Sequence, residues 1–320
     1  MRIVYGLLLA VTAVAAIRRP PLGLDLYRPV PEENPLTPGK IALGRQLFDE
    51  RRLSRDGTLS CASCHDPKRA FTDGRTVAHG VGGELGTRNV PALLNRAWGS
   101  SFFWDGRATT LEQQALEPIL NRRELAMTPD GVVALARSPR YRLQFQHAFG
   151  TEATLLDVGR ALASYVRTIV AGGSPYDRFL AGDPHALSDA PRRGLALFRG
   201  KAGCISCHAG PLLSDEQFHN TGVAFRLGAS ADEGRARVTH VDADRGAFKT
   251  PTLREVARTA PYMHDGSIAT LEEVIDYYDS GGHRNPGLDG RLRPLSLTSP
   301  EKADLVALLR SLGGVVTEGR

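Results

Sequence analysis

The chain has 320 residues, 42% of them hydrophobic and 23% charged, with a formal net charge of +5. That length suits about two domains, and the interspersed charges argue against bulk disorder. No Lys/Arg run is interleaved with aromatics, so nucleic-acid binding is not expected. A positive patch that docks an acidic redox partner stays open beside an ordinary solvated basic surface.

At the N-terminus, Arg2 precedes an apolar run from Ile3 to Ile17. The run is short for a membrane span, which takes roughly 20 residues. Ala13-Val14-Ala15 offers a small-residue cleavage site. Residues 1–17 therefore predict an export signal and a periplasmic protein. The alternative is an uncleaved N-terminal membrane anchor, because Arg18-Arg19 follows directly.

Thr37-Pro38 starts a first helix containing GRQLF (44–48), with Pro at the first helical position. Then come Cys61 and Cys64, in CASCH (61–65); the other two cysteines, Cys204 and Cys207, stand in CISCH (204–208). An even count in an exported protein usually predicts disulfides, but both pairs are followed directly by His. A zinc site would need the two pairs to converge, and a redox dithiol leaves the His unexplained. Both motifs predict c-type haem attachment, with two thioethers each and with His65 and His208 as proximal iron ligands. Function then turns on the distal faces. A sixth ligand gives an electron-transfer haem, whereas an open position gives a haem that binds an oxidant.

His79 lies on a Gly-rich loop and is either a displaceable sixth ligand of the first haem or a plain loop histidine. Trp104, in FFWDGR, suits an electron relay or ordinary core packing. Thr110…Gln113 predicts a capping box that opens a helix. On one face of that helix fall Leu111, Gln114, Ala115 and Pro118. Pro118 is expected to end or kink it. Gln114 is a candidate hydrogen-bond donor and Glu124 a candidate acid/base for cleaving a peroxide. The alternative for Glu124 is a surface partner of Arg122 or Arg123.

The second half repeats this order. GLALF (194–198) precedes CISCH as GRQLF precedes CASCH. Pro251-x-Leu253, Asp265-Gly266 and Thr270-Leu271-Glu272 follow the spacing of Pro91-x-Leu93, Asp105-Gly106 and Thr110-Leu111-Glu112 without a gap. Thr270…Glu273 is a second capping box. Its helix puts Leu271, Val274, Ile275 and Tyr278 on one face. Tyr278, which can ligate iron, thus replaces Pro118, which cannot; a packed core tyrosine is the alternative. His264 stands where the first half has Trp104. Met127 and Met263 lack the position of Tyr278, and His147, His219, His240 and His283 have no comparable context. A last helix begins at Ser299-Pro300, with Leu305, Leu308, Leu309 and Leu312 on one face.

These motifs resemble the bacterial di-haem cytochrome c peroxidase family, and within it the MauG-like branch. The matching stretches are LSCASCHDPKRAFTDGR, GTRNVPALLN, FFWDGRATTLEQQALEP, SPYDRF, GCISCHAGPLLSD, FHNTG and FKTPTLREVARTAPYMHDGSIATLEEVIDYY. They run from about Leu36 to Leu312. The resemblance implies a peroxidatic haem on His65 and a low-spin electron-transfer haem on His208. It implies an inter-haem role for Trp104 and distal-pocket roles for Gln114, Pro118 and Glu124. It also implies a calcium ion held by Asn89, Thr259 and Pro261. Typical members carry Met where this chain has Tyr278; the MauG-like branch carries Tyr.

The expected fold is all-α, with long loops and two cytochrome c-type domains, 36–180 and 186–313, related by the internal repeat. The expected reaction is reduction of hydrogen peroxide with electrons from a small redox protein. One alternative is peroxide-driven oxidation of residues in a partner protein. The other is non-catalytic electron transfer.

Overall fold

Two glycines set where the helices cross. Gly44, on the helix Pro38–Phe48, lies on the helix Leu155–Val166, and a Cβ at Gly44 would stand 1.9 Å from the Ala161 carbonyl oxygen. Gly194, on Asp189–Arg199, lies on Ser299–Arg310, and its Cβ would stand 2.1 Å from the Asp304 carbonyl oxygen. Backbones this close tolerate no side chain. The computed structural model describes residues 20–225 and 232–319. The predicted signal or anchor, residues 1–17, lies outside them.

Around the first crossing gather Leu43, Leu47, Phe48, Phe71, Ile119 and Leu162. The helices Leu111–Leu120, Pro129–Ala136 and Arg142–Phe149 complete that half. Around the second crossing gather Leu195, Phe198, Ile275, Leu305, Leu308, Leu309 and Leu312, so the last helix buries the predicted face. Tyr176 and Phe179 of the helix Pro175–Leu180 pack on this second cluster. Asp177 of the same helix makes a buried two-bond ion pair with Arg254, at 2.8 and 3.1 Å.

The fold is helix-dominated but not purely α. Val170–Gly172 pairs antiparallel with Val315–Thr317, with Val170 opposite Thr317. Phe218–His219 pairs antiparallel with Phe248–Lys249. The first pairing brings the C-terminal segment back onto the first half, where Val316 packs on its core.

Two local expectations shift. The helix at Pro118 does not end there but runs to Leu120. Pro118 sits in its last turn, and the helix carries on through Ile119, which is fully buried. In the first capping box, Thr110 accepts from the Gln113 N–H, but Gln113 Oε1 accepts from Thr109 rather than Thr110. Thr270 and Glu273 form the full reciprocal box. The last helix begins at Ser299 as expected, capped by Thr298. Among the described residues no helix is long and apolar enough to cross a membrane.

Candidate active site

Each Cys-x-x-Cys-His motif winds into a single turn. Cys61–Cys64 is a short α-helix and Cys204–Ser206 a 3-10 turn, and the N–H of the following His donates to the first cysteine's carbonyl at 2.9 Å in both. All four cysteines are free of disulfides. His65 Nδ1 lies 2.9 Å from the Phe71 carbonyl oxygen, and His208 Nδ1 lies 3.0 Å from that of Leu213. A ring nitrogen facing a carbonyl carries the proton, which leaves Nε2 as the lone-pair nitrogen. Burial lowers both imidazole pKa values and holds the rings neutral, the form that binds iron.

Both motifs line one cavity of about 1900 Å³. An ordinary small-molecule pocket occupies roughly 300–1,000 Å³, so this space admits two macrocycles. The wall also includes Trp104, Gln114, Pro118, Glu124 and Tyr278, together with Asn89, Thr259 and Pro261. Every site residue expected from the sequence therefore borders the same space.

Two helical walls of the cavity differ. From the first, Gln114 and Pro118 face the cavity, and Glu124 follows on a turn closed by its N–H to the Asn121 carbonyl at 2.9 Å. Asn121 Nδ2 donates to Glu124 Oε1 at 2.7 Å. The partner of Glu124 is thus Asn121, rather than Arg122 or Arg123. Burial raises the Glu124 pKa above its usual range, against the opposing pull of the Asn121 hydrogen bond. The His79 loop packs on this turn: the Val81 N–H donates to the Glu124 carbonyl at 2.9 Å, and His79 borders the cavity.

From the second wall, Val274 and Tyr278 of the helix Leu271–Asp279 face the cavity. Burial pushes the Tyr278 phenol up. Tyr277 instead donates its hydroxyl to the Thr221 carbonyl at 2.7 Å. Met263 borders the cavity, whereas Met127 packs on the first core.

Trp104 and His264 meet at Asn89. Trp104 Nε1 donates to the Asn89 carbonyl at 2.9 Å, and the Asn89 N–H donates to the His264 carbonyl at 2.7 Å. The His264 ring stacks on Phe248 at 3.6 Å, and the Arg88 guanidinium lies over Phe248. Asn89 Nδ2 donates to the Arg75 carbonyl at 2.8 Å, and Thr259 Oγ1 to the Val256 carbonyl at 3.1 Å; the Ala260–Pro261 peptide is cis.

Sequence reasoning missed Asn121, the Phe248–His264 stack and His219. The last sits between two carboxylates, with Nδ1 2.7 Å from Asp289 and Nε2 2.9 Å from Asp215. Hydrogen bonding to the Cys207 sulfur first, then to Asp215 and Asp289, pushes its pKa up to about 9. The two carboxylates remain its partners once the sulfur is a thioether. Asn121 stands three positions before Glu124 and was within reach of a turn reading; Asp289 is too distant in sequence to signal itself.

The fold and the cavity define an oxidoreductase with two c-type haem sites facing one space. The family model for di-haem cytochrome c peroxidase matches residues 38–185. The chain is 44% identical over 287 residues to the methylamine utilization protein MauG of Methylorubrum extorquens, spanning 89% of this chain and 81% of that one. It is 39% identical over 336 residues to the cytochrome-c peroxidase IdrP1 of Denitromonas iodatirespirans, spanning 95% and 89%. The crystal structure of a MauG-like protein associated with microbial copper homeostasis superimposes with a TM-score of 0.83 at 35% identity, over 92% and 93% of the two chains. The chain belongs to the di-haem cytochrome c peroxidase family.

Proposed function

We propose that the chain reduces hydrogen peroxide at a haem held by Cys61, Cys64 and His65. Electrons are relayed from a haem held by Cys204, Cys207, His208 and Tyr278. The observation that carries this reading is the inequality of the two distal helices, Tyr278 on one and Pro118 with Gln114 on the other, both facing the cavity. The two halves are read as an internal repeat, 36–180 and 186–313, supported by three recurring features. These are the glycine crossings, the Thr110 and Thr270 caps, and the bridges Phe102–Ala108 and Tyr262–Ile268.

When bound, the haems supply one iron at which the peroxide O–O bond breaks and a second that exchanges electrons with it. Glu124 takes a proton from the attacking oxygen of peroxide and delivers it to the departing one, its carboxyl held by Asn121. Its raised pKa keeps the acid form populated closer to neutral pH. Gln114 donates a hydrogen bond to the departing oxygen. Pro118 offers no ligand and keeps the approach clear. Trp104, tied by its indole N–H to Asn89, relays electrons between the halves. One peroxide takes up two electrons and two protons and leaves as two waters.

Asn89, Thr259 and Pro261 supply oxygens of the type calcium prefers. Asn89 keeps Oδ1 as an acceptor while its Nδ2 serves Arg75. Export through the N-terminal segment to the periplasm fits haem attachment outside the cytoplasm. Tyr278 and the likeness to MauG favour a second reading, in which peroxide drives oxidation of residues in a partner protein.

Electron paramagnetic resonance of the ferric holoprotein tests the proposal. One high-spin and one low-spin haem are expected, both altered by peroxide. A purely low-spin spectrum indifferent to peroxide would leave a plain electron carrier. Fast steady-state turnover with a reduced small cytochrome supports the peroxidase reading, and slow donor oxidation the second.

A further inference from the structure

Two buried aromatic rings, Phe48 and Tyr165, lead from His65 of the first motif to a carboxylate, Glu318, that reaches the surface. The Phe48 ring lies 6.4 Å from His65 and makes an edge contact with Tyr165 at 5.1 Å. Tyr165 is 2% exposed and stands on the helix Leu155–Val166 beside Leu162 and Val166, which border the cavity. Its hydroxyl donates to Glu318 Oε2. Glu318 reaches solvent, with a side chain 25% exposed and Arg45 at 3.4 Å.

A buried phenol gives up an electron readily only if its proton leaves at the same time, because the phenol radical cation is a strong acid. Water is excluded around Tyr165, and burial together with Glu318 raises its pKa, so it does not ionise alone. A carboxylate already hydrogen-bonded to the hydroxyl is the required proton acceptor. Tyr141 offers a contrast inside the same core. Its hydroxyl donates to Glu50 at 2.7 Å, but Arg52 also holds that carboxylate with two side-chain bonds, at 3.0 and 2.7 Å. The Arg52 hydrogen bond pulls the Glu50 pKa down to about 2, which makes it a poor proton acceptor. The rings of Tyr141 and Arg52 or Arg140 meet as cation–π pairs that disfavour a positive charge on the phenol.

We infer that Tyr165 is an internal one-electron donor to the haem of the first motif, with Glu318 as its proton acceptor, so that an oxidising equivalent can leave toward the surface. This rests on peroxide being reduced at that haem. In the step, the Tyr165 O–H bond breaks, the proton passes to Glu318 Oε2 and the electron passes to the peroxide-oxidised haem, which is reduced by one electron. The neutral tyrosyl is restored by one electron from a small phenolic or enediol reductant at the surface and by the proton that Glu318 returns, while the proton lost by the oxidised reductant goes to solvent.

The holoprotein is mixed with hydrogen peroxide without donor and freeze-quenched, while the haem optical spectrum reports the peroxide reaction itself. The wild type should show a tyrosyl signal that narrows when the tyrosines are ring-deuterated. Tyr165→Phe should lose the signal, Glu318→Gln should lower it several-fold, and Tyr141→Phe should keep it. A haem spectrum that responds to peroxide while the wild type shows no tyrosyl signal overturns the inference alone. So does an equal signal in Tyr165→Phe. Should Tyr165→Phe fold poorly, an undiminished signal in Glu318→Gln overturns it equally. No optical response to peroxide in any form refutes the peroxide reading, and the inference falls with it.

Discussion

Glu124→Gln isolates proton transfer from geometry. The amide keeps the size of the side chain and an oxygen able to accept from Asn121, which donates at 2.7 Å in the native chain. What it removes is the proton acceptor. A positioned acid/base contributes typically ~10²–10⁴-fold, so the second-order rate of the peroxide reaction should fall by that factor while both haems stay attached. The native rate should climb with pH through the raised pKa of Glu124, because only the carboxylate accepts the peroxide proton. Glu124→Gln should lack that limb. Stopped-flow absorbance with excess peroxide across a pH series measures both. The fold reports the same group independently. A carboxyl whose pKa is raised in the folded state contributes stability that is present below its unfolded pKa and lost as pH rises through the folded one. The variant should therefore melt at or above the native temperature at neutral pH. A rate loss below about tenfold with the pH limb intact would remove Glu124 from the chemistry.

Tyr278→Phe should convert the second haem from low-spin to high-spin; an unchanged ferric spectrum would assign the sixth ligand elsewhere. Gly44→Ala and Gly194→Ala each place a Cβ against backbone oxygens at 1.9 and 2.1 Å. Each should cost ~1–3 kcal/mol of stability, and an unshifted thermal midpoint would contradict the crossing geometry. Asp215 and Asp289 hold the His219 pKa above its ordinary value, so the stability it lends is complete below about 6.5 and fades as pH rises through the raised value. His219→Gln should flatten that part of the stability–pH curve, and a curve parallel to the native one would show that the Asp215 and Asp289 contacts do not matter to folding.

What could be read from the chain was local chemistry and periodic pattern. Cysteine spacing, the face shared by Leu271, Ile275 and Tyr278, and the apolar face of the last helix all depend on residues within a few turns. What escaped depends on distant parts of the chain meeting. His219 needs Asp289, and Tyr165 needs Glu318, 70 and 153 residues away respectively. The pairing of Val170–Gly172 with Val315–Thr317 is set by where the C-terminus docks, since three residues carry no strand signal of their own. The helix passes Pro118 and carries on through the buried Ile119, against a local rule. Even Glu124 is held by a side-chain partner, Asn121, that only a reading of the turn between them could have named.

The junction between the halves shows why one residue type can matter where its side chain makes no inter-haem contact. Trp104 and His264 both bind the main chain of Asn89, one its carbonyl and the other its N–H. Any residue at position 89 except proline offers those two groups. The junction therefore does not require asparagine. The side chain is free for a separate task, and its Nδ2 is already committed to the Arg75 carbonyl. Beyond that hydrogen bond, Oδ1 is the polar atom that asparagine adds over an apolar residue of similar size. A calcium ion, as proposed, would use such a hard oxygen in the cavity wall that also includes Thr259 and Pro261. It would draw on an atom that the Trp104–Asn89–His264 contacts do not use.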